Sequence, residues 1–96
     1  MHKDEIINVL RSDLPELKKR YGVQSIGLFG SYAVGRNTPE SDLDFLVELS
    51  APLSKNYFGL WAFLENRFRK KVDLVRKGDH LREKFLHHIE TEIIYA

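Results

Sequence analysis

Gly30-Ser31-Tyr32-Ala33-Val34-Gly35-Arg36-Asn37-Thr38-Pro39-Glu40-Ser41-Asp42-Leu43-Asp44-Phe45-Leu46-Val47-Glu48 is the stretch from which the rest of the chain is read. A turn of small residues, Gly30-Ser31, stands eleven residues ahead of two carboxylates spaced i and i+2 at the mouth of an apolar run. That run, Leu43 to Leu49, alternates as a half-buried β-strand does, with Leu43, Phe45, Val47 and Leu49 on one face. Asp42 and Asp44 then share the other direction, roughly 6–7 Å apart along the backbone. Two like charges held so close repel unless a cation or a shared proton relieves them. A divalent metal beside a phosphate does this, and the turn suits a phosphate: Gly30 permits close approach, while Ser31 offers an N–H and a hydroxyl at a helix start. Ser-Asp-x-Asp after a proline is also ordinary turn chemistry, with Ser41 or Asp42 capping backbone donors.

Outward from this stretch, residues 23–29 read as a strand leading into the turn, and a short helix follows it, stopped at Gly35. Upstream, Ile6, Leu10, Leu14, Leu17 and Tyr21 mark one face of a helix over residues 3–21, ended by Gly22 after the basic turn Lys18-Lys19-Arg20. Pro15 predicts a break within it, with Ser12 or Asp13 capping the restart. Downstream, Pro52 and Ser54 mark the exit from the second strand, and an aromatic-rich helix is expected from about Asn56 to Phe68. Its core-facing side falls on Leu60 or Trp61, Leu64 and Phe68; core packing is the first reading of the aromatics, and exposed surface for a protein partner the second. Lys71 to Val75 reads as a short strand, Leu81 to Glu90 as a helix with Leu81, Phe85 and Ile89 aligned, and Ile93-Ile94-Tyr95 as a short edge strand. The order predicts an α+β fold, an α/β sandwich: a small mixed sheet of three to four strands with helices packed on it, residues 1–96 forming one domain.

Asp73 lies within the third strand, opposite in direction to Val72 and Leu74. A charge buried in such a strand needs a partner or a metal. It either pairs with Lys70 or Lys71, or a neighbouring strand brings it beside Asp42 and Asp44. In the second case the three acids suit a pair of Mg²⁺ ions, whose hard charge prefers carboxylate, phosphate and water oxygens. Glu48 shares the Asp44 direction but lies about 13 Å along the strand.

Composition narrows the classes. Fifteen basic and fourteen acidic side chains nearly cancel, so there is no broad positive field for non-specific nucleic-acid binding. The basic run Arg67-Phe68-Arg69-Lys70-Lys71 reads first as a solvated helix end. With no cysteine, disulfides, thiolate catalysis and Cys-ligated zinc are excluded. His87 and His88 project about 100° apart on a helix and read as surface residues. No apolar run approaches the roughly 20 residues of a membrane span, and the amphipathic N-terminus is no signal peptide; a cytoplasmic protein is expected.

With those residues in view, the pattern resembles the minimal nucleotidyltransferases of the DNA polymerase β-like superfamily: Gly-Ser, about ten residues, Asp-x-Asp, and a third acid on a later strand. The match is close over residues 26–49 and looser over Lys71–Val75 and the C-terminal helix. The resemblance implies a nucleotidyltransferase fold in which Gly30 and Ser31 hold the triphosphate of ATP or another NTP. It gives Asp42 and Asp44 the metals, and gives Asp73 the completion of the metal site and help in deprotonating an acceptor hydroxyl. Small members of the family resemble the antitoxin halves of pairs whose toxins are helical HEPN ribonucleases, and some adenylylate a tyrosine of that toxin. The implied partners are therefore an NTP and a HEPN-family toxin, with a binding-only antitoxin as the second reading. An aminoglycoside-type small-molecule transferase is the third; its acceptor pocket would need a homo-oligomer or a second protein. One position departs from the family's usual Gly-Ser-x-Ala-Arg-Gly: Val34 stands at the arginine, and Arg36 follows Gly35 as a replacement phosphate contact.

Overall fold

Alternation along Leu43–Leu49 sorts the molecule into two layers around one sheet. In the computed structural model, which describes residues 1–51 and 56–96, the elements run α1 (Lys3–Tyr21), β1 (Val23–Phe29), α2 (Ser31–Val34), β2 (Leu43–Leu49), α3 (Asn56–Phe68), β3 (Val72–Arg76), α4 (Glu83–Glu90) and β4 (Ile94–Tyr95). The strand order is β3-β2-β1-β4. The β1–β2 and β1–β4 pairs are antiparallel and β2–β3 is parallel, so the sheet is mixed, as expected. Leu43, Phe45, Val47 and Leu49 are buried on one face with Ile6, Leu10 and Leu17 of α1 and Leu60, Leu64 and Phe68 of α3. Leu46 points the other way and is buried with Phe29 and Ile89, under α4. Burying such a side chain contributes roughly 1.5–3 kcal/mol, and these two clusters fix the register on which the acidic residues depend.

Helix α1 corrects one expectation. It runs unbroken through Pro15. Ser12 caps no restart; its hydroxyl donates to the Val9 carbonyl at 2.9 Å. Asp13 instead accepts from Arg67 Nε of α3 at 2.7 Å. A proline inside a helix costs about 3 kcal/mol, but the stripe Ile6, Ile7, Leu10, Leu17 and Tyr21 is buried as one surface and outweighs it. Gly22 ends the helix as predicted, at φ 69°, its N–H reaching the Leu17 and Lys18 carbonyls.

The aromatic helix α3 follows the packing reading more than the partner-surface one. Of its aromatic side chains Phe58 alone stands well out, 71% exposed. Tyr57 and Trp61 turn onto the outer edge of β3: the Tyr57 hydroxyl donates to the Leu74 carbonyl, and Trp61 Nε1 to the Val72 carbonyl at 2.8 Å. One turn on, Glu65 Oε2 accepts the Val72 N–H at 3.0 Å. Residues at i, i+4 and i+8 thus stand in for the strand that β3 lacks on that side.

Helix α4 begins at Glu83 rather than Leu81, and Phe85 is 42% exposed while Leu81 and Leu86 pack near Ile89. Leu86, three residues before Ile89, packs beside it, while Phe85 faces outward. Strand β3 likewise starts at Val72 rather than Lys71, while the β4 edge strand forms as expected. The predicted exit signals Pro52 and Ser54 lie outside the described residues. Among the described residues no helix is long and apolar enough to cross a membrane.

Candidate active site

The acids gather where β1 ends and β2 and β3 begin. Strand β1 stops at Phe29, opposite Asp44. Gly30 follows at φ 77°, ψ −156°, a conformation that side-chain-bearing residues rarely adopt. A Cβ there would also overlap the Asp44 carboxylate, 3.0 Å from its Cγ and closer still to Oδ2. Glycine is required by both conformation and space. Helix α2 opens on Ser31; Ala33 and Val34 donate to the Gly30 carbonyl at 3.0 and 3.2 Å, so the N–H groups of Ser31 and Tyr32 precede the first intrahelical bond.

The loop to β2 is closed by Ser41, whose hydroxyl accepts the Thr38 N–H at 2.9 Å while its own N–H reaches the Thr38 carbonyl at 3.0 Å. Turn chemistry therefore falls to Ser41. Lys70 Nζ bonds the Pro39 carbonyl at 3.0 Å and lies over the Tyr32 ring, and the Leu43 N–H donates to the Lys71 carbonyl at 3.0 Å. These contacts join the loop to the start of β3 and set the parallel register in which Asp44 stands beside Asp73.

Asp44 carries the electrostatic strain. Burial, then the charges of Asp73, Asp42 and Glu92, push its carboxyl up from 3.8 to about 6. Asp73 is exposed, contrary to the expectation of a buried third acid, so the burial cost falls on Asp44. The three predicted acids are together at one end of the sheet, and Glu92 joins them. Its Oε1 accepts the Gly30 N–H at 2.9 Å. Sequence reading missed Glu92, and its only signal was the short edge strand after it: pairing that strand with β1 brings Glu92 to the turn. Arg36 is exposed, and its backbone N–H closes α2 on the Ser31 carbonyl at 2.9 Å; Val34 is 45% exposed. Of the basic run, Arg67 and Lys70 are engaged in the contacts above. His87 and His88 are exposed.

Among the described residues no three His, Cys, Asp or Glu side chains form a ready-made metal cage. Mg²⁺ seldom needs one: it takes one or two carboxylates and fills its octahedron with water and substrate phosphates. An acid strained by neighbouring carboxylates beside a tight glycine turn fits an ion that arrives with a phosphate ligand.

Comparison with known proteins agrees with this geometry. The profile of the nucleotidyltransferase domain family matches residues 10–95. Protein adenylyltransferase MntA of Thermococcus cleftensis is 34% identical over 94 residues, covering 97% of this chain and 94% of that protein. A crystal structure described as a toxin–antitoxin with AMP-PNP superposes with a TM-score of 0.68 at 26% identity, covering 99% of this chain and 72% of that one. A structure of tri-AMPylated Shewanella oneidensis HEPN toxin in complex with MNT antitoxin matches with a TM-score of 0.58 at 25% identity, over 96% of this chain and 66% of that one. Fold, carboxylate array and relatives agree: the chain belongs to the nucleotidyltransferase domain family, among its minimal (MNT) members.

Proposed function

We propose that this chain is a Mg²⁺-dependent protein adenylyltransferase that moves AMP from ATP to a hydroxyl of a HEPN-type toxin and so acts as its antitoxin. The in-register placement of Asp44 beside Asp73, with Gly30 against the Asp44 carboxylate, is the observation that carries the reading. The relatives named above, an adenylyltransferase and an AMPylated toxin bound to its antitoxin, support the choice of AMP and of the partner.

Each side chain has a part. Gly30 and Ser31 receive the triphosphate, and Arg36 adds a guanidinium for its oxygens. Asp42 and Asp44 are the ligands for Mg²⁺, with Asp73 completing the set. Mg²⁺, when bound, neutralises charge between the carboxylates and the triphosphate. Asp73, the most open of the acids, accepts the proton of the acceptor hydroxyl. The hydroxyl oxygen bonds to the α-phosphorus, the bond to the bridging oxygen breaks, and pyrophosphate leaves with the electron pair.

The test is to incubate the chain with α-labelled ATP, Mg²⁺ and a HEPN-type toxin. Label on the toxin that is lost in Asp44→Asn is the expected result; equal labelling by Asp44→Asn overturns the assignment. Val34, exposed at the position where the family carries arginine, favours a second reading in which neutralisation needs binding alone. An Asp42→Asn/Asp44→Asn chain that still neutralises the toxin would establish that reading.

A further inference from the structure

Glu92 reaches the nucleotide turn from the opposite end of the chain. The β1–β4 register pairs Gly27 with Tyr95 and Leu28 with Ile94; carried onward, it sets Gly30 opposite Glu92. Backbone pairing stops short of that point because the end of α4 claims the donors: the N–H groups of Glu92 and Ile93 both go to the Ile89 carbonyl, at 3.0 and 2.9 Å. A side chain completes the ladder instead, Glu92 Oε1 accepting the Gly30 N–H at 2.9 Å.

Helix α2 has no side-chain cap of its own, and Gly30 occupies a backbone region open to glycine alone, where few steric walls hold it. The Gly30 carbonyl is already held by the Ala33 and Val34 N–H groups, so the peptide left to an outside partner is Phe29–Gly30, whose N–H Glu92 receives.

We propose that Glu92 is a positioning residue for the Gly30–Ser31 turn. Its carboxylate holds the Gly30 peptide in one orientation, which keeps that backbone against Asp44 and presets the N–H groups of Ser31 and Tyr32 for an anionic nucleotide. The role rests on the reading of that turn as the triphosphate site. Glu92 itself touches no substrate in this assignment, and the bond, not the charge, is what matters.

The test compares the full chain with Glu92→Gln, which keeps an acceptor of equal reach, and Glu92→Asp, which keeps the charge but falls one methylene short. Three readouts are taken: amide exchange at Gly30, binding of Mg²⁺·AMP-PNP, and KM against kcat for ATP. Glu92→Asp should weaken nucleotide binding and raise KM by about tenfold, with faster Gly30 exchange and little change in kcat, while Glu92→Gln stays close to the parent. Unchanged binding and exchange in Glu92→Asp overturns the role, as does a Glu92→Gln chain more impaired than Glu92→Asp, which would make the charge decisive. The parent protein separates the two claims. If it binds no nucleotide, the reading of the turn falls; if it binds and Glu92→Asp binds equally well, only the role of Glu92 falls.

Discussion

Asp44 and Asp73 occupy partner positions on adjacent parallel strands, so their side chains leave the same face of the sheet at the same level. Burial of Asp44, and then the Asp73 charge on a neighbouring strand about 4.8 Å away, push its carboxyl up to about 6. The folded state holds the Asp44 proton more tightly than the unfolded chain, where the value is 3.8. Ionisation therefore costs stability: the penalty is absent below the unfolded value, grows between 3.8 and about 6, and is complete above that. Asp44→Asn should raise stability at about pH 8 by on the order of 1 kcal/mol, allowing for the partial exposure of the group, and should have almost no effect at about pH 4. Thermal denaturation at the two pH values checks it. Mg²⁺ binding to the free chain competes with that proton and should weaken as pH drops through about 6, while saturating Mg²⁺ should carry the activity profile to lower pH.

A cation placed among these acids removes the same repulsion. Mg²⁺ should raise the melting temperature of the parent chain at neutral pH, by an amount that grows with the logarithm of its concentration once the site fills. The increment should shrink in Asp44→Asn and vanish with chelator. Added ATP should enlarge it, because phosphate oxygens fill coordination positions the carboxylates leave open.

Gly30→Ala tests the turn. The new methyl meets the Asp44 carboxylate and the backbone sits at φ 77°, so two separate strains arise. A loss of about 2–3 kcal/mol in stability is expected, along with loss of nucleotide transfer. Combining it with Asp44→Ala should recover part of the stability, since the contact with the carboxylate disappears while the backbone strain stays. Chemical denaturation of the two single variants and the double variant measures that coupling.

The site and the fold were legible to different depths. Alternation in Leu43–Leu49 and the Gly-Ser to Asp-x-Asp spacing placed β2, the turn and two acids correctly, because those signals lie within one stretch and follow backbone periodicity. Asp73 needed one further fact, the parallel β2–β3 pairing, and its exposure depended on how far α4 covers the opposite face of the sheet from α3. Glu92 depended on an edge strand of only two residues, too short for a periodic signal. The hydrogen bonds of Tyr57 and Trp61 went unread because an aromatic on a helix does not reveal that its polar atom will end at a strand edge. Pro15 misled for the opposite reason: the local penalty was real, but burial of the whole stripe decided the outcome.

Because α1 absorbs Pro15 without a break, replacing it should release the stored cost. Pro15→Ala restores a helical N–H and removes the ring from the preceding turn, at an exposed position that needs no repacking. The unfolded chain gains entropy from the change, which offsets about 0.4–1 kcal/mol. A net gain of roughly 1–2 kcal/mol is expected, read as a higher denaturation midpoint with unchanged transferase activity. A loss of stability would mean that the proline serves the helix rather than strains it.

The hydrogen-bonding stripe on α3 leads to a prediction about Asp73. Tyr57 and Glu65 bond the backbone of β3 on either side of that residue, at the Leu74 carbonyl and the Val72 N–H. Tyr57→Phe removes one hydroxyl and keeps the ring, so it should cost about 1 kcal/mol. Glu65→Ala should cost a similar amount and speed amide exchange at Val72, which then has no acceptor at the sheet edge. Both groups restrain the same short strand, so the double variant should lose more than the sum of the singles. The excess should appear as lower kcat rather than higher KM, because what drifts is the acid that takes the proton and not the turn that holds the nucleotide. Equal losses in kcat and in a nucleotide-binding assay would assign the stripe to general stability instead.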